Sequence, residues 1–305
     1  MITAPAVLAA LALDWALGEP RRRHPLAGFG ILAQAVEHRL RGGPGTPPRA
    51  RRRRGALAVL VLVAPPVLAA ALLARRPWAG PVADVLLLYL ALGHRSLHDH
   101  ARAVIRALEA REAGRARRLA GRMVSRDPAV LDVPAAVTES VLENGNDAVF
   151  ATLFWFTLAG GAGAVLHRLV NTLDAMWGHR DARYRDFGRA AARLDDALNF
   201  IPARLTALTY ACLGHTRTAL RCWRHQAPAW DSPNAGPVMA AGAGALGLVL
   251  GGPARYRGCW RRRPRLGTGA RPDGRGIERA LGLVRRGVWL WVGVLAAAGA
   301  LGHAG

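Results

Sequence analysis

The sequence predicts an all-α, multi-pass integral membrane protein with a cytoplasmic helical hairpin and a re-entrant or broken helix. Three observations lead there. Of the 305 residues, 51% are hydrophobic, and the mean hydropathy is positive. The apolar residues gather in runs that approach the roughly 20 residues a helix needs to cross a bilayer. Arginine clusters flank those runs: Arg49–Arg54 precede Gly55–Ala74, and Arg75–Arg76 follow it.

In chain order, the apolar segments are expected at about 2–17, 55–74, 81–93, 148–170, 205–213, 236–250 and 288–301, within a single membrane-embedded domain spanning 1–305. Ile2–Leu17 lacks a basic leading region and an Ala-x-Ala site, so it reads as a retained segment rather than a cleaved leader. Arg21–Arg23 place residues 21–54 in the cytoplasm by the positive-inside rule. Gly55–Ala74 is the cleanest span, with Pro65 and Pro66 expected to kink it. Pro81–Gly93 returns the chain.

Residues 94–147 read as the cytoplasmic helical insert. Ala101, Val104, Ile105 and Leu108 recur at helical spacing, among nine arginines from Arg95 to Arg126. Asp99 reads as the cap of this helix. Ala148–Val170 is apolar but carries Gly160, Gly161 and Gly163. A turn at those glycines would return the chain to the side it came from, a backbone irregularity allowed where protein or water covers it; the plain alternative is a glycine-containing span. Residues 253–287, rich in Arg, Pro and Gly, are expected to be irregular.

The formal net charge is +22, and all 42 basic residues are arginine. A GC-rich genome accounts for the bias, but its chemical consequence stands. There is no lysine for a Schiff base or a P-loop, so any phosphate must be held by Arg, backbone N–H groups or a metal. Nucleic acid is not an expected partner, because aromatics are not interleaved with the basic residues as in stacking platforms. Cys212, Cys222 and Cys259 lack the spacing of a zinc site or disulfide framework.

Two polar stretches border the apolar runs. In the first, Glu139 and Glu143 are one helical turn apart and share a face, with Asn144 and Asp147 beyond them. Carboxylates that close repel unless a cation joins them, which points to Mg²⁺; an acidic helix end is the alternative. The second holds Asn171, Asp174, Arg180, Arg183, Tyr184, Arg193, Asp195, Asp196, Asn199 and Arg204. A solvated salt-bridged face would explain part of it, but Asp195, Asp196 and Asn199 sit among Leu194, Leu198, Phe200 and Ile201, where ionised groups are costly and mark function. Arg183, Arg193 and Arg204 suit bidentate phosphate binding. Ser232 and Asn234 precede the 236–250 run as a turn and helix start, or as groups that orient a ligand. Asp14 and Glu19 border the first segment.

The stretches ESVLENGNDAVFATLFWF, NTLDAMWGHRDARYRDFGRAAARLDDALNFIPARLTAL and SPNAG…GALGLVLGG, with LALDWALGEPRRRHPLAGFG and HRSLHDHARAV near the start, resemble the adenosylcobinamide-phosphate synthase family (CobD/CbiB). The resemblance covers nearly the whole chain. It implies a multi-pass bacterial inner-membrane enzyme acting late in cobalamin biosynthesis. Such an enzyme joins adenosylcobyric acid, a corrinoid, to (R)-1-aminopropan-2-ol phosphate or ethanolamine phosphate by an amide bond, with Mg²⁺ and ATP as co-substrate. It implies the lipid bilayer and other late cobalamin-pathway membrane enzymes as surroundings and partners. On this reading Glu139, Glu143, Asp147, Asp195 and Asp196 serve as metal ligands or bases, with Glu139, Glu143, Asp147 and Asp196 the metal set. Asn144, Asn171, Asp174, Arg183, Tyr184, Arg193, Asn199, Arg204, Ser232 and Asn234 hold substrate or phosphate. One departure is that Ala229-Trp230-Asp231 stands where the family pattern carries a His before Ser-Pro-Asn. The competing readings are a membrane prenyltransferase using Mg-diphosphate, weakened by the incomplete Asp195-Asp196-x-x-Asn199 motif, and a non-enzymatic AmpE-like membrane sensor.

Overall fold

The computed structural model describes residues 4–20, 24–43, 45–179, 181–256 and 258–304. The sequence readings on Ile2, Arg21–Arg23 and Arg180 lie outside them. In chain order the helices are α1 (Ala4–Leu17), α2 (Pro25–Leu40), α3 (Pro48–Ala74), α4 (Ala79–Ala91), α5 (His94–Glu109), α6 (Ala113–Ala120), α7 (Val133–Gly145), α8 (Ala151–Trp177), α9 (Arg189–Leu213), α10 (Thr216–Gln226), α11 (Ala235–Leu246) and α12 (Gly274–Ala304). Four short strands, β1 (Val249–Gly251), β2 (Ala254–Tyr256), β3 (Cys259–Arg261) and β4 (Arg265–Gly267), lie between α11 and α12. Three helical stretches among the described residues are long and apolar enough to cross a membrane: Pro48–Ala74, Val133–Trp177 and Gly274–Leu301. On α3, Leu57, Leu60, Leu68 and Leu72 are exposed, which suits a helix whose outer face meets lipid rather than water.

The chain forms two compact units. One comprises Met1–Gly93 and Ala151–Asn199, the other His94–Phe150 and Phe200–Ala304.

In the first unit, α3 packs on α8 and α4, and α4 on α1 and α8. Its core gathers Phe29, Leu62, Leu173, Trp177 and Phe187, with the Trp177 and Phe187 rings edge to face at 5.1 Å. α2, which shows no long apolar run, starts where His24 Nδ1 accepts the Leu26 N–H (3.2 Å) and Pro25 presets the first turn. Helical structure continues through Pro65 and Pro66 to Ala74. The break falls in α8 instead, at Ala159 (φ −141°, ψ 21°) and Gly160 (φ 62°, ψ −154°).

In the second unit, α5 and α6 form an amphipathic hairpin. α5 buries Leu97, Ala101, Val104 and Ile105, the face that the spacing marks. The helical insert is shorter than expected: the hairpin closes by Ala120, and the helix that restarts at Val133 belongs to the long apolar stretch. Asp99 is not a cap, because α5 already starts at His94; Asp99 lies one turn in and pairs with Arg95 (3.4 Å). α7 packs on α12, α5 and α11, and α11, built of Ala and Gly, is buried along its length between α10 and the strands.

The segment expected to be irregular is partly ordered. β1 pairs antiparallel with β4 (Leu250↔Leu266) and β2 with β3 (Arg255↔Trp260). The positive φ of Gly251 (76°), Gly252 (79°) and Gly267 (81°) provides turns that other residues rarely adopt. The apolar run 236–250 therefore ends in a strand, and α12 starts at Gly274, well before the apolar run at 288.

The buried rings of His94 and His98 meet edge to face at 5.0 Å. Burial, with Arg285 close to both, pushes His94 down to about 3 and His98 down to about 4; Arg102 also lowers His98, while Asp99 opposes the shift. Both are neutral when folded, whereas in the unfolded chain they titrate near about 6.5. Their contribution is complete above that value and is lost as pH falls from there toward about 4. Thermal stability in detergent is expected to drop by on the order of 4 kcal/mol, about half from each ring, between about pH 7.5 and pH 5. A His94→Gln/His98→Gln variant that keeps the whole pH dependence would refute this assignment.

Candidate functional site

The second unit builds a polar site around Glu139. Asp132 caps α7, accepting the Ala135 N–H at 3.3 Å, and sets the helix phase that turns Glu139 inward, 2% exposed. Its carboxylate is fully engaged. Arg126 ion-pairs with Oε2, Arg263 Nη1 donates to the same oxygen at 3.1 Å, and the Gly251 N–H donates to Oε1 at 2.9 Å. Burial works against the Arg126 charge, but the charge and hydrogen bond of Glu139, helped by Tyr256, outweigh it and hold the guanidinium above its ordinary value. Arg126 and, 124 residues along the chain, Arg263 thus pair with Glu139.

Beside this cluster lies a cavity of about 310 Å³, lined by Arg126, Glu139, Glu143, Asp231, Arg262 and Arg263 among others. Glu139 and Glu143 thus reach one space, as the one-turn spacing predicts. Trp230 forms part of the wall, with the Arg263 guanidinium 5.1 Å from its ring centre. The sequence reading had not singled out Arg126, Arg263, Trp230 or Asp231 as site residues. The only available signal was Asp231 beside the Ser-Pro-Asn element.

Asn144 turns back onto its own helix, donating to Ser140 O (2.9 Å) and Oγ (3.1 Å). Asp147 lies in a π-helical turn, Asn146–Phe150, and accepts from the Asn146 amide at 2.8 Å. Asn146 in turn accepts from Thr206 Oγ1 at 2.9 Å. Arg204, Ser232 and Asn234 come together: Arg204 Nη1 donates to Asn234 Oδ1 at 2.7 Å, and Arg204 Nη2 to the Pro233 carbonyl at 3.0 Å. Ser232 Oγ accepts the Asn234 and Ala235 N–H groups at 3.3 and 3.2 Å. The Ser-Pro-Asn turn is thereby pinned to α9.

The first unit holds the other stretch as far as Asn199. Asn171 Nδ2 donates to Asp195 Oδ1 at 3.2 Å, and Asp174 lies within electrostatic reach of Asp195 and Asp196. Asn199 is buried and meets His167 Nε2 at 3.3 Å, while His167 Nδ1 meets Thr152 Oγ1 at 3.4 Å. His167 was not picked out from the sequence. Arg183 is not an open phosphate clamp, because its Nε and Nη2 donate to Glu37 at 3.0 and 2.8 Å, joined by the Tyr184 hydroxyl at 3.3 Å. The fork that suits phosphate is already filled by a carboxylate of the same shape. Of the three arginines expected at phosphate, Arg193 alone is exposed with no hydrogen bond or ion pair among the described residues.

Among the described residues, no three His, Cys, Asp or Glu side chains converge as a metal site. Of the expected metal set, Glu139, Glu143 and Asp147 belong to the second unit and Asp196 to the first.

A family model described as CobD/Cbib protein matches residues 7–284. The chain belongs to the CobD/CbiB family. Its relatives include proteins named cobalamin biosynthesis protein CobD from Stutzerimonas stutzeri, 57% identical over 95% of this chain and 96% of that protein, and from Chromobacterium violaceum, 57% identical over 96% and 95%. A Mycobacterium tuberculosis protein of the same name is 41% identical over 92% and 91%. No solved structure matches the chain. Membership makes this CobD/CbiB chain a cobalamin-biosynthesis protein, and the match takes in both polar stretches, the strands and the start of α12.

Proposed function

We propose that this CobD/CbiB chain is an adenosylcobinamide-phosphate synthase. It joins a propionate carboxyl of adenosylcobyric acid to the amine of (R)-1-aminopropan-2-ol phosphate, or of ethanolamine phosphate, at the expense of ATP. The observation that carries the reading is the cavity where Glu139 and Glu143 face Arg126, Arg262 and Arg263, in a chain matched to the family over 7–284.

A carboxylate is a poor acyl donor, so it is first phosphorylated. Its oxygen attacks the γ-phosphorus of ATP, the bond to ADP breaks, and an acyl phosphate forms. The amine nitrogen then attacks the acyl carbon and phosphate leaves. Arginines aimed at the charge that builds on the phosphoryl and acyl oxygens supply electrostatic stabilisation. Arg262 and Arg263 are the cavity's candidates, the latter held in place by Glu139. Glu143 lines the same space and is the base that takes the ammonium proton.

Glu139 does not fit as a metal ligand, because both its oxygens are occupied by Arg126, Arg263 and Gly251. Mg²⁺ fits as a cation brought by nucleotide phosphates, which needs only one or two protein carboxylates; with Glu143 serving as the base, Asp231 is the carboxylate of the cavity left to hold it. Bound there, it would neutralise phosphate charge. The prenyltransferase alternative loses a member of its motif, since Asn199 faces His167 in the core of the first unit.

The test is a coupling assay with purified protein in detergent, adenosylcobyric acid, aminopropanol phosphate and Mg-ATP. Adenosylcobinamide phosphate and ADP are expected in equal amounts. No product under conditions where a family member of known activity works would refute the reading. Glu143→Gln is expected to lower the coupling rate by about 10²–10⁴-fold with its KM for either substrate little changed. A rate within a few-fold of wild type would remove Glu143 as the base.

A further inference from the structure

Of the Arg-rich segment between α11 and α12, the chemistry above uses Arg262 and Arg263 alone, yet the segment also walls a second cavity of about 390 Å³. Arg126, Glu139 and Arg263 line both this space and the first. Five arginines line it (Arg126, Arg255, Arg263, Arg265 and Arg271) against three acids (Asp127, Asp132 and Glu139). The acids are committed to protein partners. Glu139 holds Arg126 and Arg263, Asp127 lies 3.5 Å from Arg255, and Asp132 caps α7. The Arg265 and Arg271 side chains remain exposed, with no side-chain hydrogen bond or ion pair among the described residues.

The cavity is a built feature. The Asp127 N–H donates to the Arg255 carbonyl at 3.0 Å, which ties the α6–α7 connection to β2. Arg263 Nε donates to the Gly252 carbonyl at 3.0 Å, which ties the chain after β3 to the turn after β1. Pairing of β4 with β1 sets Arg265 opposite Gly251, while its neighbour Leu266 is fully buried. Strand alternation then sends Arg265 to the face away from Leu266. Trp260, on β3, is 64% exposed and lines the same cavity.

We propose that this cavity binds the nucleoside triphosphate, with Arg265 and Arg271 on its phosphates and Trp260 against its base. The assignment rests on the synthase reading, which needs ATP, and gives it a site. Phosphates need fixed positive donors, and in a chain without lysine only Arg supplies them from side chains; its planar fork takes two phosphate oxygens at once. An exposed indole gives a base a face to stack on. Arg126 and Arg263 line both cavities, so they join the phosphate end to the space that Glu143 lines.

The experiment is calorimetric titration of the full-length protein in detergent with a non-hydrolysable ATP analogue and Mg²⁺, repeated with tripolyphosphate and with ethanolamine phosphate. Arg265→Gln/Arg271→Gln should weaken the ATP analogue and tripolyphosphate alike, by at least about 10-fold, and leave ethanolamine phosphate unchanged. Trp260→Ala should weaken the ATP analogue by about 5-fold or more and spare tripolyphosphate. Neither side chain of the double variant holds the fold together, so its melting temperature should stay at the wild-type value. Wild-type affinity for the analogue in the double variant, or a loss confined to ethanolamine phosphate, overturns the assignment. If that occurs while the wild type makes adenosylcobinamide phosphate, the site is wrong and the reaction stands. If coupling fails while nucleotide affinity still depends on Arg265 and Arg271, the site stands and the reaction is wrong.

Discussion

Glu139→Ala is expected to leave little folded protein at ordinary temperatures. The side chain is 2% exposed, and its guanidinium partners are nearly as enclosed, 14% for Arg126 and 13% for Arg263. Removing the carboxylate leaves two buried cations side by side and orphans the Gly251 N–H. Breaking a buried ion pair from one side costs about 3–5 kcal/mol, out of a typical total of roughly 5–15 kcal/mol. Glu139→Gln keeps an acceptor for Gly251 but loses the charge, so it should fall between wild type and Ala. The check is the thermal midpoint in detergent together with the yield of monodisperse protein. The outcome separates two roles. A metal ligand held apart by repulsion from Glu143 would lose activity on removal and keep or gain stability. An anion that holds two arginines loses stability first. A Glu139→Ala protein that melts with the wild type and fails only in Mg²⁺-dependent coupling would restore the metal role and sink this one.

That contrast shows where the sequence was legible. The pairing of Glu139 with Glu143 is a spacing of four, and helical geometry alone puts both on one face; the structure brings both to one cavity. One of the two arginines that neutralise Glu139, Arg263, comes from 124 residues along the chain, and Glu37, the partner of Arg183, from 146 residues away. No local pattern carries such pairings, so neither the arginine beside Glu139 nor the carboxylate beside Arg183 was legible in the sequence around them. The apolar runs located all three long candidate helices but set their starts too late. Two of those helices open with arginines, as at Pro48–Arg54 and Gly274–Arg279, and Arg propagates a helix nearly as well as Leu while lowering hydropathy; the third is interrupted by the polar residues Glu139–Asp147. The four strands escaped because each is three residues long, too short for alternation to register. Their glycines and arginines looked like the composition of an irregular loop.

Gly160→Ala is the second substitution expected to be severe, and it tests the break in α8. Helical structure covers Val133–Trp177, 45 residues. A straight helix of that length would run about 68 Å, more than twice the roughly 30 Å of a bilayer's hydrocarbon. Gly160 has φ 62° and ψ −154°, a region that only glycine occupies without strain, at a cost of about 1–3 kcal/mol for other residues. The break also frees backbone donors, and the Gly161 N–H is taken by Asp84 Oδ1 at 2.8 Å. Asp84 is 8% exposed, so this acid in an apolar helix has a structural task. With Ala at 160, either the strain is borne and the midpoint falls, or the backbone turns helical there and Asp84 is left without the Gly161 N–H, a further loss of about 1–3 kcal/mol. Asp84→Ala isolates that second part and should lower the midpoint by the orphaned donor alone. Because the two substitutions act on one feature, their effects should be less than additive. A Gly160→Ala protein as stable as wild type, or a double variant whose losses simply add, would mean that the break is not held by this glycine and this carboxylate together.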